Sequence, residues 1–240
     1  MTAVVVGGGS GIGAAVVAAQ QARGLDVVVW DRADGADIAC DITSPEQVDA
    51  AAAATLERFG CPDVVTVTAG IGHGGMLLDV PADAWDHVVG TNAKGAWLAM
   101  RALARPMLEQ GGGSIVMTSS VSARLADRSM GLYCASKAAL DMVVKVAALE
   151  WAPTVRVNAV APGVTDTPML GPVPRDRGWL HGVADRTALG RLGTPDDIAE
   201  AILAVHDMRW ATGQIVVCDG GLSRRSPIDP VGGPRRGQVD

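Results

Sequence analysis

The single tyrosine of the chain, Tyr133, lies four residues before Lys137. Residues four apart on a helix share a face, so the phenol and the ammonium can lie side by side. A free phenol has a pKa of about 10, and a neighbouring cation favours the phenolate and lowers that pKa. The pair therefore suits a proton donor and acceptor, although an isolated Tyr-x-x-x-Lys is more often an ordinary pair of helix residues.

A glycine-rich turn follows the first apolar run of the chain. Residues 3–6 are typical of a buried parallel strand, and residues 7–13 read Gly-Gly-Gly-Ser-Gly-Ile-Gly. This turn does not fit Gly-x-Gly-x-x-Gly, but it fits Gly-x-x-x-Gly-x-Gly through Gly7, Gly11 and Gly13. Such glycines let the backbone approach a pyrophosphate that rests on a helix N-terminus. The turn therefore predicts a dinucleotide site.

Asp31 ends the second apolar run, about 20 residues beyond the turn. An acid at this point accepts hydrogen bonds from an adenosine ribose and repels a 2′-phosphate, so NAD is predicted rather than NADP. The alternative is a strand-end acid that only solvates its own turn. Arg32 complicates the prediction, because a basic residue there tolerates a phosphate.

The composition favours one α/β domain. The chain has 240 residues, 48% of them apolar, and its formal net charge of -6 argues against nucleic-acid binding. Two Arg-Arg pairs near the end are interpreted as part of a solvated tail. The cysteines lack metal-ligand spacing, so we expect reduced, buried thiols and no metal site. They are Cys40, Cys61, Cys134 and Cys218.

Short apolar runs alternate with helical stretches, which predicts a doubly wound parallel sheet. Strands are expected at 3–6, 27–30, 38–40, 64–67, 114–118, 155–160 and 214–218. Helices are expected at 12–23, from 45 onward, at 82–98, 99–109 and 132–151, and from 195 onward. The segment 168–190 is predicted to be irregular and to close over a substrate. One domain is expected over 1–222, followed by a mobile or interface tail at 223–240.

Together these residues resemble the short-chain dehydrogenase/reductase family in its single-domain form, from residue 3 to about 222. The resemblance implies a single-domain Rossmann fold of α/β class, a doubly wound seven-stranded parallel sheet with helices on both faces. Two positions depart from the family pattern. Val6 stands where the family usually has Thr, and Thr68 stands where it usually has Asn.

The resemblance also implies the residues of the site. The catalytic set would be Asn92, Ser120, Tyr133 and Lys137, with Ser120 preferred to Ser119 because the family serine lies 13 residues before the tyrosine. The cofactor-binding set would be Gly7, Ser10, Gly11, Ile12, Gly13, Asp31, Arg32, Asp41, Ile42, Ala69, Gly70, Tyr133, Lys137, Pro162, Gly163, Val164, Thr165 and Thr167.

In the implied reaction, hydride passes between a secondary alcohol or ketone and a nicotinamide. Tyr133 would exchange a proton with the substrate oxygen, and Ser120 would hydrogen-bond that oxygen. Lys137 would lower the pKa of Tyr133 and hold the nicotinamide ribose, while Asn92 would position a water. The candidates for the substrate wall are residues 73–77 and 122–130, with Arg124, Met130, Met169, Trp179 and His181 singled out.

The sequence leaves other functions open. A 3-oxoacyl-thioester reductase using NADPH is the nearest enzymatic rival, and a sugar-nucleotide epimerase is disfavoured by the glycine spacing. A dinucleotide-binding sensor or scaffold without turnover is the rival from a different class. The expected partner is a small alcohol or ketone, with neither nucleic acid nor membrane. The resemblance implies a homotetramer. A cytoplasmic location is expected, because residues 3–22 lack the features of a signal peptide or membrane span.

Overall fold

The computed structural model describes residues 1–170 and 177–224, and within these ranges parallel strands form one seven-stranded sheet. The strands are β1 (Thr2–Val6), β2 (Asp26–Asp31), β3 (Ile38–Ala39), β4 (Val64–Val67), β5 (Gly113–Thr118), β6 (Val155–Pro162) and β7 (Ile215–Cys218). Their order is β3-β2-β1-β4-β5-β6-β7, so it reverses between β1 and β4. A doubly wound sheet opens a crevice there, at the carboxyl ends of its strands. The predicted fold class is confirmed.

Helices cover both faces of the sheet. They are α1 (Gly11–Ala22), α2 (Pro45–Phe59), α3 (Ala82–Val89), α4 (Ala96–Gln110), α5 (Gly131–Glu150), α6 (Arg177–Arg186) and α7 (Pro195–Asp207). Helices α1 and α7 pack on one face, and α2, α4 and α5 pack on the other. Both faces are therefore buried, which explains why the central strands read as unbroken apolar runs rather than as alternating ones.

Aliphatic side chains and one tryptophan fill the larger core. Val4 and Val6 face α2, α4 and α5, while Val5 faces α1 and α7. Trp30 is fully buried, and its indole Nε1 donates a hydrogen bond of 2.9 Å to the Thr55 hydroxyl on α2. That bond satisfies the polar end of a large side chain whose burial would otherwise be costly.

Two predicted segments differ from the structure. Instead of a break between residues 98 and 99, α3 runs through a π-helical segment (Gly90–Gly95) into α4. The segment predicted to be irregular contains a 3₁₀ turn (Pro168–Leu170) and α6, while 171–176 lie outside the described residues. Trp179 and Val183 are half-buried on one face of α6, an amphipathic stripe that the surrounding glycines and arginines obscure in the sequence.

Two helix starts follow their sequence signals. Ser44 accepts a hydrogen bond of 3.2 Å from the Gln47 amide, and Pro45 occupies the first position of α2. Thr194 and Asp197 form a capping box at the start of α7. Both helices therefore begin at the residues that their capping signals indicate.

The sequence predicts that the four cysteines are reduced, buried thiols. The four thiols are free, but only Cys40 of the four is buried and the others are half-buried, so that prediction is wrong in part.

Across the described ranges, no helix has the length and apolar character needed to cross a membrane. The predicted tail is described as far as a 3₁₀ turn (Leu222–Arg224), and 225–240 lie outside the described residues.

Candidate active site

A cleft of about 730 Å³ lies at the carboxyl ends of the strands. It brings together nearly all the predicted site residues, although they come from seven separate segments of the chain. Those lining it are Gly7, Ser10, Gly11, Ile12, Gly13, Asp31, Arg32, Asp41, Ile42, Ala69, Gly70, Ser120, Tyr133, Lys137, Pro162, Gly163, Val164, Thr165 and Thr167. Asn92 is the exception, because it lies fully buried behind the cleft wall.

The glycine turn forms a cradle at the start of α1. Ser10 makes no side-chain cap, so the first amides of α1 have no side-chain acceptor. A Cβ on Gly13 would lie 2.0 Å from the Gly7 carbonyl oxygen, and Gly7 itself has a φ of +86°. Uncapped helix amides beside a close-packed backbone turn form an anion site. The cradle therefore fits the pyrophosphate of a dinucleotide.

Thr68 supports this turn from β4, at one of the two positions where the sequence departs from the family pattern. Its hydroxyl lies 2.9 Å from the Gly7 carbonyl oxygen and 3.1 Å from that of Val6. A Cβ on Gly13 would also lie 2.6 Å from this hydroxyl. Thr68 therefore connects the glycine turn to the end of β4 by hydrogen bonds, although the family usually has Asn at this position.

Asp31 closes the far end of the cleft. One carboxylate oxygen accepts a hydrogen bond of 2.8 Å from the Gly9 amide, and the other accepts one of 3.0 Å from the Ala33 amide. The neighbouring Arg32 guanidinium lies 4.0 Å from the Asp41 carboxylate. Hydrogen bonds from Thr43, with a smaller contribution from Arg32, lower the pKa of Asp41. Asp31 is therefore fixed in place, while a second acid partly neutralises the adjacent cation.

Tyr133 and Ser120 meet at the middle of the cleft. Tyr133 lies in the first turn of α5, and Ser120 follows β5, where its hydroxyl acts on the phenol and lowers its pKa. Lys137 lies one turn further along α5, with its ammonium 5.8 Å from the centroid of the Tyr133 ring. That ammonium donates a hydrogen bond of 2.8 Å to the Thr118 carbonyl oxygen. Two hydroxyls thus converge on the space beside a buried cation.

The acidity of the phenol differs from the prediction. Burial raises the pKa of Tyr133, and the hydrogen bond from Ser120 opposes that rise. Burial also lowers the pKa of Lys137 to about 8, although the negative charge of Asp141 opposes this lowering. The expected lowering of the Tyr133 pKa is therefore not found in the protein alone, because burial of the phenol outweighs the contribution of Ser120. The Lys137 ammonium is directed at the Thr118 carbonyl oxygen instead.

Asn92 ties the loop after β4 to α5. Its side-chain oxygen accepts a hydrogen bond of 2.8 Å from the Ile71 amide, and its nitrogen donates to the Ile71 carbonyl at 2.9 Å and to the Ser136 hydroxyl at 3.0 Å. It lies within the π-helical segment, a distortion that recurs at functional sites. The contact aligns α5 next to Lys137, and the predicted water beside Asn92 stays a prediction.

Asp141 is a buried residue outside the cleft lining that contacts Ser119 of the lining, and it was not predicted from the sequence. Ser119 donates a hydrogen bond to its carboxylate, and Arg124 Nε lies 3.9 Å from the other oxygen. Burial raises the pKa of this carboxyl, while the Ser119 bond and nearby cations oppose the rise. The sequence does contain a signal for this proximity, because Asp141 follows Lys137 by four residues and so shares its helix face.

The predicted substrate wall is found in part. Met130, Met169 and Trp179 line the cleft, next to Ser120 and Tyr133. Arg124 is not among the described lining residues, since its guanidinium is near Asp141, and His73 and His181 are likewise absent from that lining. The expectation that residues 73–77, Arg124 and His181 line the cleft is therefore wrong within the described ranges.

Known proteins resemble this chain along most of its length. A family model described as enoyl-(acyl carrier protein) reductase matches residues 7–223. A cis-4-hydroxycyclohexanecarboxylate dehydrogenase of Sinomonas cyclohexanicum is 34% identical, over 92% of this chain and 96% of its own length. The ligand-free aldohexose dehydrogenase of Thermoplasma acidophilum superposes with a TM-score of 0.90 at 29% identity, over 95% of this chain and 96% of that one. A short-chain type dehydrogenase/reductase of Mycobacterium marinum superposes with a TM-score of 0.86 at 31% identity, over 92% and 95% of the two chains.

The sheet order and the glycine cradle at the switch point define a dinucleotide-binding protein of the Rossmann type. With these similarities, the chain belongs to the short-chain dehydrogenase/reductase family, and it is an oxidoreductase. Membership implies a nicotinamide dinucleotide cofactor, and the cradle at α1 fits it. The family predicted from the motifs is confirmed.

Proposed function

We propose that the protein interconverts a secondary alcohol and a ketone with NAD(H), using Tyr133 as the acid and base. The observation that carries this proposal is the convergence of the Tyr133 and Ser120 hydroxyls on the cleft, with the Lys137 ammonium buried beside them. A sensor without turnover has no use for such an arrangement. The similar Sinomonas and Thermoplasma proteins, both named as dehydrogenases of hydroxyl compounds, support the same reaction class.

Each group has a distinct role in the proposed reaction. When bound, the nicotinamide accepts or supplies the hydride. Tyr133 takes the proton of the alcohol during oxidation and returns it during reduction. Ser120 donates a hydrogen bond to the substrate oxygen and stabilises its developing charge. Lys137 would hold the nicotinamide ribose hydroxyls, and Asn92 would position the water that links the ammonium to solvent.

The cofactor preference is assigned to Asp31. Its carboxylate is fixed by the Gly9 and Ala33 amides at the end of β2, where it can accept hydrogen bonds from ribose hydroxyls. A 2′-phosphate at the same place would meet this negative charge. Arg32 offers less compensation than its type suggests, because its guanidinium lies beside Asp41.

A 3-oxoacyl-thioester reductase using NADPH is the second candidate. The matched family model is described by an activity on acyl carrier protein substrates, and Arg32 lines the cleft. The cofactor separates the two candidates, since a preference for NADPH would favour the reductase.

Helix α5 also supports the proposed homotetramer. Met142, Val146 and Leu149 form a stripe along it and are exposed by 57%, 45% and 81%. Apolar side chains at such spacing on a single helix face are typical of a covered surface. Solution mass measurement tests this, and a monomer would contradict it.

A titration with NADH and with NADPH, followed by energy transfer from tryptophan, tests the cofactor assignment. Trp30 lines the cleft beside Asp31 and so reports binding at the adenosine end. We expect tighter binding of NADH. Tighter binding of NADPH would favour the thioester reductase, and binding of neither would favour a non-catalytic protein.

A further inference from the structure

A carboxylate lines the substrate end of the cleft, on the loop between Ser120 and Tyr133. It belongs to Asp127, which accepts a hydrogen bond of 2.6 Å from the Ser122 hydroxyl. Ser122 is buried, so this bond holds an exposed carboxylate in a defined position. Its negative charge also reaches the phenol, since it contributes to the raised pKa of Tyr133.

The other charged residues that line the described part of the cleft lie away from the substrate end or direct their charge elsewhere. Asp31, Arg32 and Asp41 lie at the cofactor end, and the charge of His87 acts on Asp41. Lys137 directs its ammonium at the Thr118 carbonyl oxygen. Asp127 is therefore the charge that a substrate meets beside Tyr133, within the residues that the structure describes.

No cation of the described lining is placed to pair with a substrate carboxylate at this end. Arg124 follows the Ser120 loop, but its guanidinium lies beside Asp141 and outside the lining. The rest of the described wall is mostly apolar. Its apolar members include Leu125, Met130, Met169, Leu170, Trp179 and Val183.

We propose that Asp127 determines the substrate class: the site takes neutral or cationic secondary alcohols with an apolar body and disfavours carboxylates. The physical reason is that two like charges in one cleft repel, and no cation of the described lining lies at this end to offset the repulsion. This rests on the proposed alcohol oxidation. It also separates this chain from the similar Sinomonas enzyme, which is named for a carboxylate substrate.

The test uses three cyclohexanols that differ in charge: cis-4-hydroxycyclohexanecarboxylate, its methyl ester and cis-4-aminocyclohexanol. Oxidation with NAD is measured for the wild type, Asp127→Asn and Asp49→Asn. Asparagine at 127 can still accept the Ser122 hydrogen bond, and Asp49 is an exposed acid on α2 outside the lining, so Asp49→Asn controls for net charge. We expect kcat/KM for the ester to exceed that for the acid by about tenfold or more in the wild type. In Asp127→Asn that ratio should approach one, and in Asp49→Asn it should not change.

An unchanged ratio of ester to acid in Asp127→Asn overturns the assignment of Asp127. Failure of the wild type to oxidise the ester and the amine, while it oxidises another secondary alcohol, overturns the substrate class and leaves the proposed function in place. If the wild type binds neither nicotinamide dinucleotide, the proposed function and this inference both fall.

Discussion

Ser119 donates a hydrogen bond to the buried carboxylate of Asp141, whereas its neighbour Ser120 directs its hydroxyl toward Tyr133. The two serines follow β5 in extended backbone, where successive side chains point to opposite sides. Adjacent residues of the same type thus have different tasks. One anchors the loop to α5, and the other faces the reacting atoms.

This division predicts different effects of two equivalent substitutions. Ser120→Ala should lower kcat by about 100-fold or more with little loss of stability, because it removes a donor to the substrate oxygen. Ser119→Ala should lower the free energy of unfolding by about 1–3 kcal/mol, because it leaves the buried Asp141 carboxylate short of a partner. Kinetics and denaturant unfolding of both variants check this. A larger loss of kcat in Ser119→Ala would make Ser119 the catalytic donor.

Removal of the acid at the end of β2 should change the cofactor preference. In Asp31→Ala the ribose hydroxyls lose an acceptor and the 2′-phosphate loses a repelling charge, while Arg32 is retained. We expect the preference for NADH over NADPH to fall by about tenfold or more, measured as the ratio of the two Kd values. Asp34→Ala, an exposed acid outside the cleft lining, serves as the control. Equal effects of the two substitutions would remove Asp31 from the assignment.

Two helical glycines should respond differently to the same added methyl group. In Gly13→Ala the new Cβ would lie 2.0 Å from the Gly7 carbonyl oxygen, whereas a Cβ on Gly90 has nothing within 4 Å. Gly13→Ala should therefore cost about 1–3 kcal/mol of stability and weaken NADH binding. Gly90→Ala should be neutral or stabilising by up to about 1 kcal/mol. Thermal unfolding and NADH titration measure both, and tight NADH binding by Gly13→Ala would contradict the cradle.

A buried histidine on α7 should make stability fall in weak acid. His206 is bonded to the Thr66 and Ser114 hydroxyls at 3.0 Å each, and burial lowers its pKa to about 3. An unfolded histidine has a pKa of about 6.5, so between these values the unfolded state binds more protons and stability falls as pH falls. The slope should approach about 1.4 kcal/mol per pH unit from this residue.

His206→Gln should flatten that dependence, because glutamine does not titrate. Denaturant unfolding from pH 7.5 to 5 gives the two slopes. Parallel curves for the wild type and His206→Gln would mean that the imidazole titrates in the folded protein as it does in the unfolded one, which would contradict its lowered pKa.

Much of the site could be predicted because its chemistry is encoded in short spacings. The turn at 7–13 and the pair Tyr133 and Lys137 are local patterns, and their meeting follows from a parallel sheet that gathers strand ends at one edge. The carbonyl of Thr118 as acceptor for Lys137 could not be foreseen, because it depends on how β5 packs beside α5. The predicted lowering of the Tyr133 pKa is wrong because the burial of the phenol, which raises the pKa, depends on tertiary packing.

Helix α6 and Asp141 show two other limits. Helix α6 is held by Trp179 and Val183, and its glycines and charges hide the stripe from a composition-based prediction. Asp141 contacts Ser119 of the cleft lining and Arg124 outside it, and these residues lie 22 and 17 positions earlier in the chain. Such contacts depend on tertiary packing, which no local spacing encodes.

The central claim is that the Tyr133 hydroxyl exchanges the proton with the substrate oxygen. Tyr133→Phe removes that hydroxyl and keeps the ring, so it tests the claim most directly when kcat and the Kd for NADH are measured on the same preparation. We predict a kcat lower by about 100-fold or more, with the Kd for NADH changed by no more than about threefold. Near-normal turnover in Tyr133→Phe would contradict the mechanism, whatever the cofactor affinity.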